Sequence, residues 1–314
     1  MKKYFVVLVS LLILLMFSNL IAMAEGKPLI GISVVGTEHN WDINAYNGAI
    51  SKAKELGAEV ISFSGEKRAE KQLSDIQTLI SRNVDALIVI LGYGKVIEPA
   101  IKQAREKGIP VVTADFTTPY SLCNVSTNNF SAEAELALKL VSDLKGNGEV
   151  GIFYVPGYPI EELRKDVFDT VLKWYPDVKI VAKEAEVEPG TVPDAYNKTK
   201  DILKSHPEID ALWAIYDMPM IGAAQAIVDM GLAGKVSCYG FDGDPIAMKM
   251  IMDPNSAFEA TVAQQPYKIG QTVAEVAMDI INGKEVPIMK FVPAILVTRD
   301  NVEEVYHSLE KYKE

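Results

Sequence analysis

The sequence predicts an α/β protein built as two similar lobes in tandem, each a parallel sheet covered on both faces by helices. Three observations lead there. From Leu29 onward, short apolar runs alternate with amphipathic helical stretches. One stretch is echoed: Asn83-Val84-Asp85-Ala86-Leu87-Ile88-Val89-Ile90 returns as Glu208-Ile209-Asp210-Ala211-Leu212-Trp213-Ala214-Ile215. Each echo is followed by a helix, a strand and a strand-end aspartate, Asp115 at 30 residues from Asp85 and Asp242 at 32 from Asp210. Finally, 314 residues at 49% hydrophobic and 23% charged fit two domains of ordinary size and exclude a disordered chain.

The elements follow in order. Met1-Lys2-Lys3 is a cationic start, residues 4–21 are apolar apart from Ser10, Ser18 and Asn19, and Ala22-Met23-Ala24 is a small-residue cleavage pattern. This predicts a secretory signal peptide cut after Ala24. Cleavage leaves 290 residues and, with Lys2 and Lys3 gone, moves the formal charge from −11 to −13. The alternative is an uncleaved membrane anchor, since the run is nearly long enough to span a bilayer. No cysteine follows the run, which argues against a lipid anchor. The mature chain is expected free in an extracytoplasmic space.

Residues 29–35, 60–63, 86–91 and 111–114 read as buried strands of the first lobe. Between them Tyr46, Ala49, Ile50 and Ala53 share a helical face, as do Leu73, Ile76 and Ile80, then Ile97, Ala100, Ile101 and Ala104. In the second lobe the strands are 150–155, 180–182, 211–215 and 236–241, with a short strand at 260–263. Its helical faces are Leu163-Val167-Val171 and Met220-Ala223-Ala224-Ile227, followed by Val273-Val276-Ile280. Cys123 falls in a connecting segment and Cys238 in a strand of the other half. Both are expected to be unpaired thiols, even in an oxidising compartment.

Composition narrows the function. An excess of 42 acidic over 31 basic residues argues against nucleic-acid binding. Three histidines leave little room for a His-rich metal site, and Asp242-Gly243-Asp244 lacks the rest of a calcium loop. No metal or cofactor is expected. There is no Gly-x-Ser-x-Gly elbow, Walker A loop or zinc spacing.

In open α/β sheets, ligands bind beyond the carboxyl ends of the strands. At those positions stand His39, Trp41 and Asp42; Tyr93; Asp115 and Phe116; Gly157 and Tyr158; Tyr216 and Asp217; Asp242; and Gln264. Aromatics, carboxylates and amides together suit a neutral polyhydroxyl ligand: hydroxyls donate to carboxylates, and C–H faces lie on rings. An anionic ligand would want a basic cluster, and Arg164 is the one strong candidate nearby. Paired carboxylates in a sugar cleft also raise a glycosidase, but their role as hydroxyl acceptors accounts for them more simply.

At these residues the chain resembles the ribose-type periplasmic binding proteins, the sugar receptors of ABC importers. The markers, in order, are Ile30-Gly31-Ile32-Ser33-Val34-Val35, Trp41, Gly48-Ala49, Leu56-Gly57, Gly108-Ile109-Pro110-Val111-Val112-Thr113-Ala114-Asp115, His206-Pro207-Glu208-Ile209-Asp210-Ala211, Gly240-Phe241-Asp242-Gly243 and Ala260-Thr261-Val262-Ala263-Gln264-Gln265-Pro266. The resemblance implies two Rossmann-like lobes joined by a three-stranded hinge, with sugar in the cleft. It puts crossovers near Thr127, Gln264 and Pro293, the first lobe at 27–127 plus 265–292 and the second at 128–264 plus 293–314.

It also implies a stacking aromatic at Trp41 with polar neighbours His39 and Asp42, carboxylates at Asp115 and Asp242, an arginine at Arg164, polar groups at Tyr216 and Asp217, and an amide at Gln264. Phe116 and Tyr216 stand where ribose binders often carry arginine and asparagine, and the segment 188–193 lacks a further aromatic. Another pentose, a hexose or a polyol therefore fits as well as ribose. The expected protein is a monomeric, non-enzymatic receptor that closes on its ligand and delivers it to an ABC permease. A co-receptor for a membrane signalling protein is the alternative. The signal peptide and the missing DNA-binding helices exclude a repressor with the same lobes.

Overall fold

Two six-stranded sheets carry the chain in the computed structural model, which describes residues 26–310 apart from 155, 157–158 and 186–189. The signal segment 1–24, the last residue of the strand expected at 150–155, Gly157, Tyr158 and the start of the 188–193 segment lie outside the described residues. Chain order in the first half is β1 (Leu29–Val34), α1 (Asn40–Glu55), β2 (Glu59–Ser64), α2 (Ala69–Ser81), β3 (Ala86–Ile90), α3 (Gly94–Glu106), β4 (Val111–Ala114) and β5 (Cys123–Thr127). The chain continues through α4 (Asn129–Asp143), β6 (Gly148–Phe153), α5 (Pro159–Leu172), β7 (Val178–Glu184), α6 (Thr191–Ser205), β8 (Ile209–Ala214) and α7 (Asp217–Asp229). Then come β9 (Ser237–Tyr239), α8 (Pro245–Met252), β10 (Phe258–Ala263), α9 (Pro266–Ile281), β11 (Met289–Val292), β12 (Ile295–Thr298) and α10 (Val302–Glu310).

The first sheet runs β11-β5-β4-β3-β1-β2 and the second β12-β10-β9-β8-β6-β7, so the two repeat one strand order. All pairings are parallel except β12 against β10. Each lobe is doubly wound, as the sequence predicts, and its order reverses beside β1 or β6. The near-continuous apolar strands follow from burial on both faces. In β3, Ala86, Ile88 and Ile90 enter one hydrophobic cluster while Leu87 and Val89 enter the cluster on the opposite face.

The sequence echo has a structural cause. Asp85 Oδ2 accepts from the Leu29 backbone N–H at 2.7 Å, and Asp210 Oδ2 accepts from that of Glu149 at 2.9 Å. Each aspartate pins the beginning of its lobe's first strand.

The chain leaves the first sheet after β5, returns after β10 and crosses again between β11 and β12. Helix α9 follows a strand of the second sheet, yet its Ile269, Val273, Ala274 and Ala277 pack with Ile30, Ile32 and Ala49 of the first lobe. It crosses α1 in backbone contact. A Cβ on Gly270 would lie 2.0 Å from the Ala45 carbonyl oxygen, and one on Gly48 2.2 Å from that of Tyr267.

Three strands escape the sequence pattern. β5, Cys-Asn-Val-Ser-Thr, is wholly buried although largely polar: Thr113 Oγ1 donates to Asn124 Oδ1 at 3.1 Å and the Ser126 hydroxyl donates to Asp115, while Asn124 Nδ2 and Thr127 Oγ1 have no partner among the described residues. β11 and β12 have four residues each, too few to show a period. Cys123 accordingly opens a buried strand and is not in a connecting segment. It and Cys238 are free, in different sheets. On α5 the buried stripe is Ile160, Arg164, Phe168 and Leu172, one position round from the expected Leu163-Val167-Val171. A charged residue reads as solvent-facing, and here it faces inward.

The helix crossing yields a stability prediction. Gly270→Ala forces α1 and α9 apart and lowers stability by about 1–3 kcal/mol. The expected readout is a lower urea midpoint at unchanged slope.

Candidate functional site

A cavity of about 270 Å³ lies between the carboxyl ends of the two sheets. Its size is close to the lower end of small-molecule sites, ~300 Å³. It is lined from the first lobe by residues after β1, β2, β3 and β4, and from the second by residues after β6, β8, β9 and β10.

Arg164 stands at its centre. The guanidinium is buried and held on three sides: Nε donates to Asn129 Oδ1 at 2.7 Å, Nη1 donates to the Ile215 carbonyl at 2.9 Å, and its carbon lies 3.9 Å over the Phe241 ring. Nη2 reaches to 4.0 Å from Asp115 Oδ2 in the first lobe, and Nη1 to 3.7 Å from Asp242 Oδ1 in the second. The two aspartates occupy equivalent places, after β4 and after β9. Both have positive φ, 46° and 132°. Such conformations cost on the order of 1–3 kcal/mol and persist where the surroundings enforce them. Here the Asp115 N–H donates to the Val125 carbonyl at 3.0 Å and the Asp242 N–H to that of Val262 at 2.9 Å.

One cation serves several buried acids. Burial pushes the Asp115 carboxyl up to about 6, opposed by Arg164 and by the Ser126 hydroxyl that donates to Oδ1. Burial likewise raises Asp242 to about 7, against Arg164 and the Gln264 amide, whose Nε2 donates at 2.8 Å. Glu133, fully buried one turn beyond Asn129, is raised well above the carboxylate range, chiefly by burial, while Trp213 Nε1 donates to it at 3.0 Å.

At the rim, Trp41 lines the cavity from the first turn of α1. Its Nε1, and Gln264 Oε1, are buried with no hydrogen-bond partner among the described residues. The pair leaves one donor and one acceptor for a guest to satisfy. Asp42 is paired with Lys67 Nζ at 2.8 Å, and the same Nζ lies 3.4 Å from His39 Nδ1. Glu66 and Lys67 are both left-handed, at φ 53° each, and the Tyr93 hydroxyl donates to the Lys67 carbonyl at 3.1 Å. Across the cleft the rings of His39 and Tyr216 are 5.9 Å apart.

The lobes also bond directly. Asn40 Nδ2 donates to Asp244 Oδ2 at 2.7 Å, while the Asp244 N–H donates to Asp217 Oδ2 at 2.7 Å. Asp217 Oδ1 accepts from Thr261 Oγ1 at 2.7 Å. Asp217 thus lines the cavity with both oxygens engaged, and what it does there is hold the 242–244 loop. Burial first, then the nearby Asp242 charge, raise its carboxyl well above the usual range.

Of the residues chosen from sequence, His39, Trp41, Asp42, Tyr93, Asp115, Arg164, Tyr216, Asp217, Asp242 and Gln264 line this cavity. Phe116 does not. The left-handed turn at Asp115 sends the next side chain into the core beside Ile97 and Ile101, where it is 1% exposed. The structure adds Asn40, Lys67 and Asp244 to the lining and Asn129 behind Arg164. Lys67 follows the end of β2, on a turn that carries no aromatic side chain. Asn129 follows β5, a strand with no apolar signature.

Fold and cavity together define a two-lobed, cleft-binding α/β protein. Residues 30–285 match the family model described as the periplasmic binding protein domain, and the chain belongs to that family. It is 30% identical over 261 residues to the ribose import binding protein of Bacillus subtilis, covering 82% of this chain and 83% of that one. An ABC sugar transporter subunit from Rhodobacter sphaeroides superposes with TM-score 0.85 at 38% identity, covering 87% of this chain and 99% of its own. An ABC transporter solute-binding protein from Agrobacterium vitis, solved with bound allitol, gives TM-score 0.88 at 37% identity, covering 90% and 99%.

The electrostatics give a signed prediction. With Asp242 raised to about 7 from 3.8, the folded chain holds a proton that the unfolded chain has already lost between those values. Stability from this group therefore falls as pH rises towards 7. Asp242→Asn does not titrate, so thermal unfolding of the ligand-free variant relative to the parent should shift in the variant's favour by about 2–3 kcal/mol from pH 5 to pH 8.

Proposed function

We propose that the chain is an exported receptor for a monosaccharide or polyol of five or six carbons, which it captures in the interlobe cleft and delivers to an ABC permease. The observation that carries this reading is the set of groups around Arg164. Asp115 and Asp242 are acceptors, the guanidinium and Trp41 Nε1 are donors, and Gln264 Oε1 is a further acceptor, all on a small buried cavity. A hydroxyl donates and accepts at once, so a polyol can satisfy both kinds of group. Burial excludes water as a competitor, and closure of one lobe on the other commits the ligand.

Relatives support the choice of ligand. One is named for ribose import, and another holds allitol. Export rests on residues 1–24, cut after Ala24. No helix among the described residues is long and apolar enough to cross a membrane. The carboxylates act as hydroxyl acceptors and the ligand leaves unchanged. The protein works as a monomer.

Calorimetry over pentoses, hexoses and their alditols, allitol included, tests the reading. A bound polyol at about 100 times its Kd should stabilise the fold by ~2.7 kcal/mol, and chromatography should recover it intact. No heat from any member, or a chemically altered ligand, contradicts the proposal.

Two outcomes are specific to the site. Trp41→Phe keeps a ring and removes the N–H, and should weaken the best ligand about tenfold, the loss of one buried hydrogen bond. Affinity should rise from pH 5 to pH 8, because Asp115 and Asp242, raised to about 6 and about 7, must lose their protons to accept hydroxyls. Below pH 7, binding should release protons, read as a dependence of the heat on buffer ionisation enthalpy.

A further inference from the structure

We infer that the ligand carries an uncharged alkyl or aryl substituent, held by an apolar subsite on the flank of the second lobe. This rests on the polyol reading and concerns the part of the same cavity that a polyol does not use. The polyol groups gather at the strand ends, around Asp115, Arg164, Asp242 and Gln264. The cavity continues beyond them. Pro245, the first residue of α8, follows Asp244, and Met248 stands one turn on, about 5 Å along the helix axis. The lining also includes Tyr306 and Leu309 on α10, a helix that packs against α8. Met218 on the first turn of α7 packs with Met248, Tyr306 and Leu309 in one hydrophobic cluster, and Asn44, Tyr267 and Lys268 of the first lobe line the same cavity.

The chemistry of this extension differs from that of the centre. Its cluster is made of two thioethers, a leucine and a tyrosine beside the Pro245 ring, with the Lys249 ammonium 5.7 Å from the Tyr306 ring. A hydroxyl placed there gives up water with few partners in return, which is unfavourable. An apolar group gains by the area it removes from water, ~25 cal/mol per Å². Methionines adapt their shape to the guest. A charged substituent would lose its hydration against these apolar side chains, which costs more still. The extension is continuous with the polyol end, so a substituent attached to the bound polyol reaches it without a second binding event.

The test is calorimetry of the exported protein with D-ribose, D-xylose and allitol, each beside its O-butyl derivatives at C1 and at the terminal carbon. For a polyol that binds, one derivative should bind at least tenfold tighter than the parent. That ratio should fall below threefold in Leu309→Asn and in Tyr306→Ser, both at half-buried positions where an unchanged melting temperature verifies folding. A parent that binds while neither derivative binds tighter overturns the inference, as does a gain that survives both substitutions. If neither parents nor derivatives bind, the polyol reading itself fails and this subsite with it.

Discussion

The structure depends on one buried guanidinium that two lobes share. Arg164 belongs to the second lobe, yet it is the cation nearest to the strand-end carboxylates of both. An unpaired charge in such a place would be severely destabilising. The chain meets this with a neutral amide, a main-chain carbonyl and a ring face, which hold Arg164 whatever the lobes do. The carboxylates are less fully supported, and burial lifts them to about 6 and about 7. The centre is fixed in place, and beside it Trp41 Nε1 and Gln264 Oε1 have no hydrogen-bond partner among the described residues, which a hydroxyl-rich guest can supply.

Duplication explains the geometry, and divergence explains the chemistry. Asp85 and Asp210 do the same work in their lobes, and Asp115 and Asp242 end equivalent strands. Beyond these pairs the lobes part. The first supplies the rim, with Trp41 and the Asp42–Lys67 ion pair, while the second supplies Arg164 and Gln264. A cleft between two copies of one plan can thus bind a ligand with two unlike faces. The bond from Asn40 to Asp244 joins the two lobes directly across the cleft.

What could be read from the sequence follows from which patterns are local. Strand and helix periods, the repeat and the strand-end positions are local, and they locate the two sheets and ten of the eleven chosen cleft residues. The exceptions have physical causes. β5 is buried with polar side chains at Asn124, Ser126 and Thr127, so no apolar run marks it, and Asn129 at its exit goes unseen. Phe116 looks like a cleft aromatic until the left-handed φ of Asp115 turns it into the core. Lys67 arrives on two consecutive left-handed residues, neither of them glycine. The buried face of α5 is displaced because it carries a charged residue, Arg164, whose guanidinium is bonded inside the lobe by Asn129 and the Ile215 carbonyl. Local rules fail where function overrides them.

The central claim is that a polyol completes the Arg164 centre between the lobes. A crystal structure of the protein grown with allitol tests it most directly. The account requires the polyol between Asp115, Arg164 and Asp242, with hydroxyl oxygens at about 2.7–3.0 Å from Gln264 Oε1 and the Trp41 Nε1. Allitol bound outside this cleft, or inside it with the Arg164 guanidinium making no contact to it, would contradict the account.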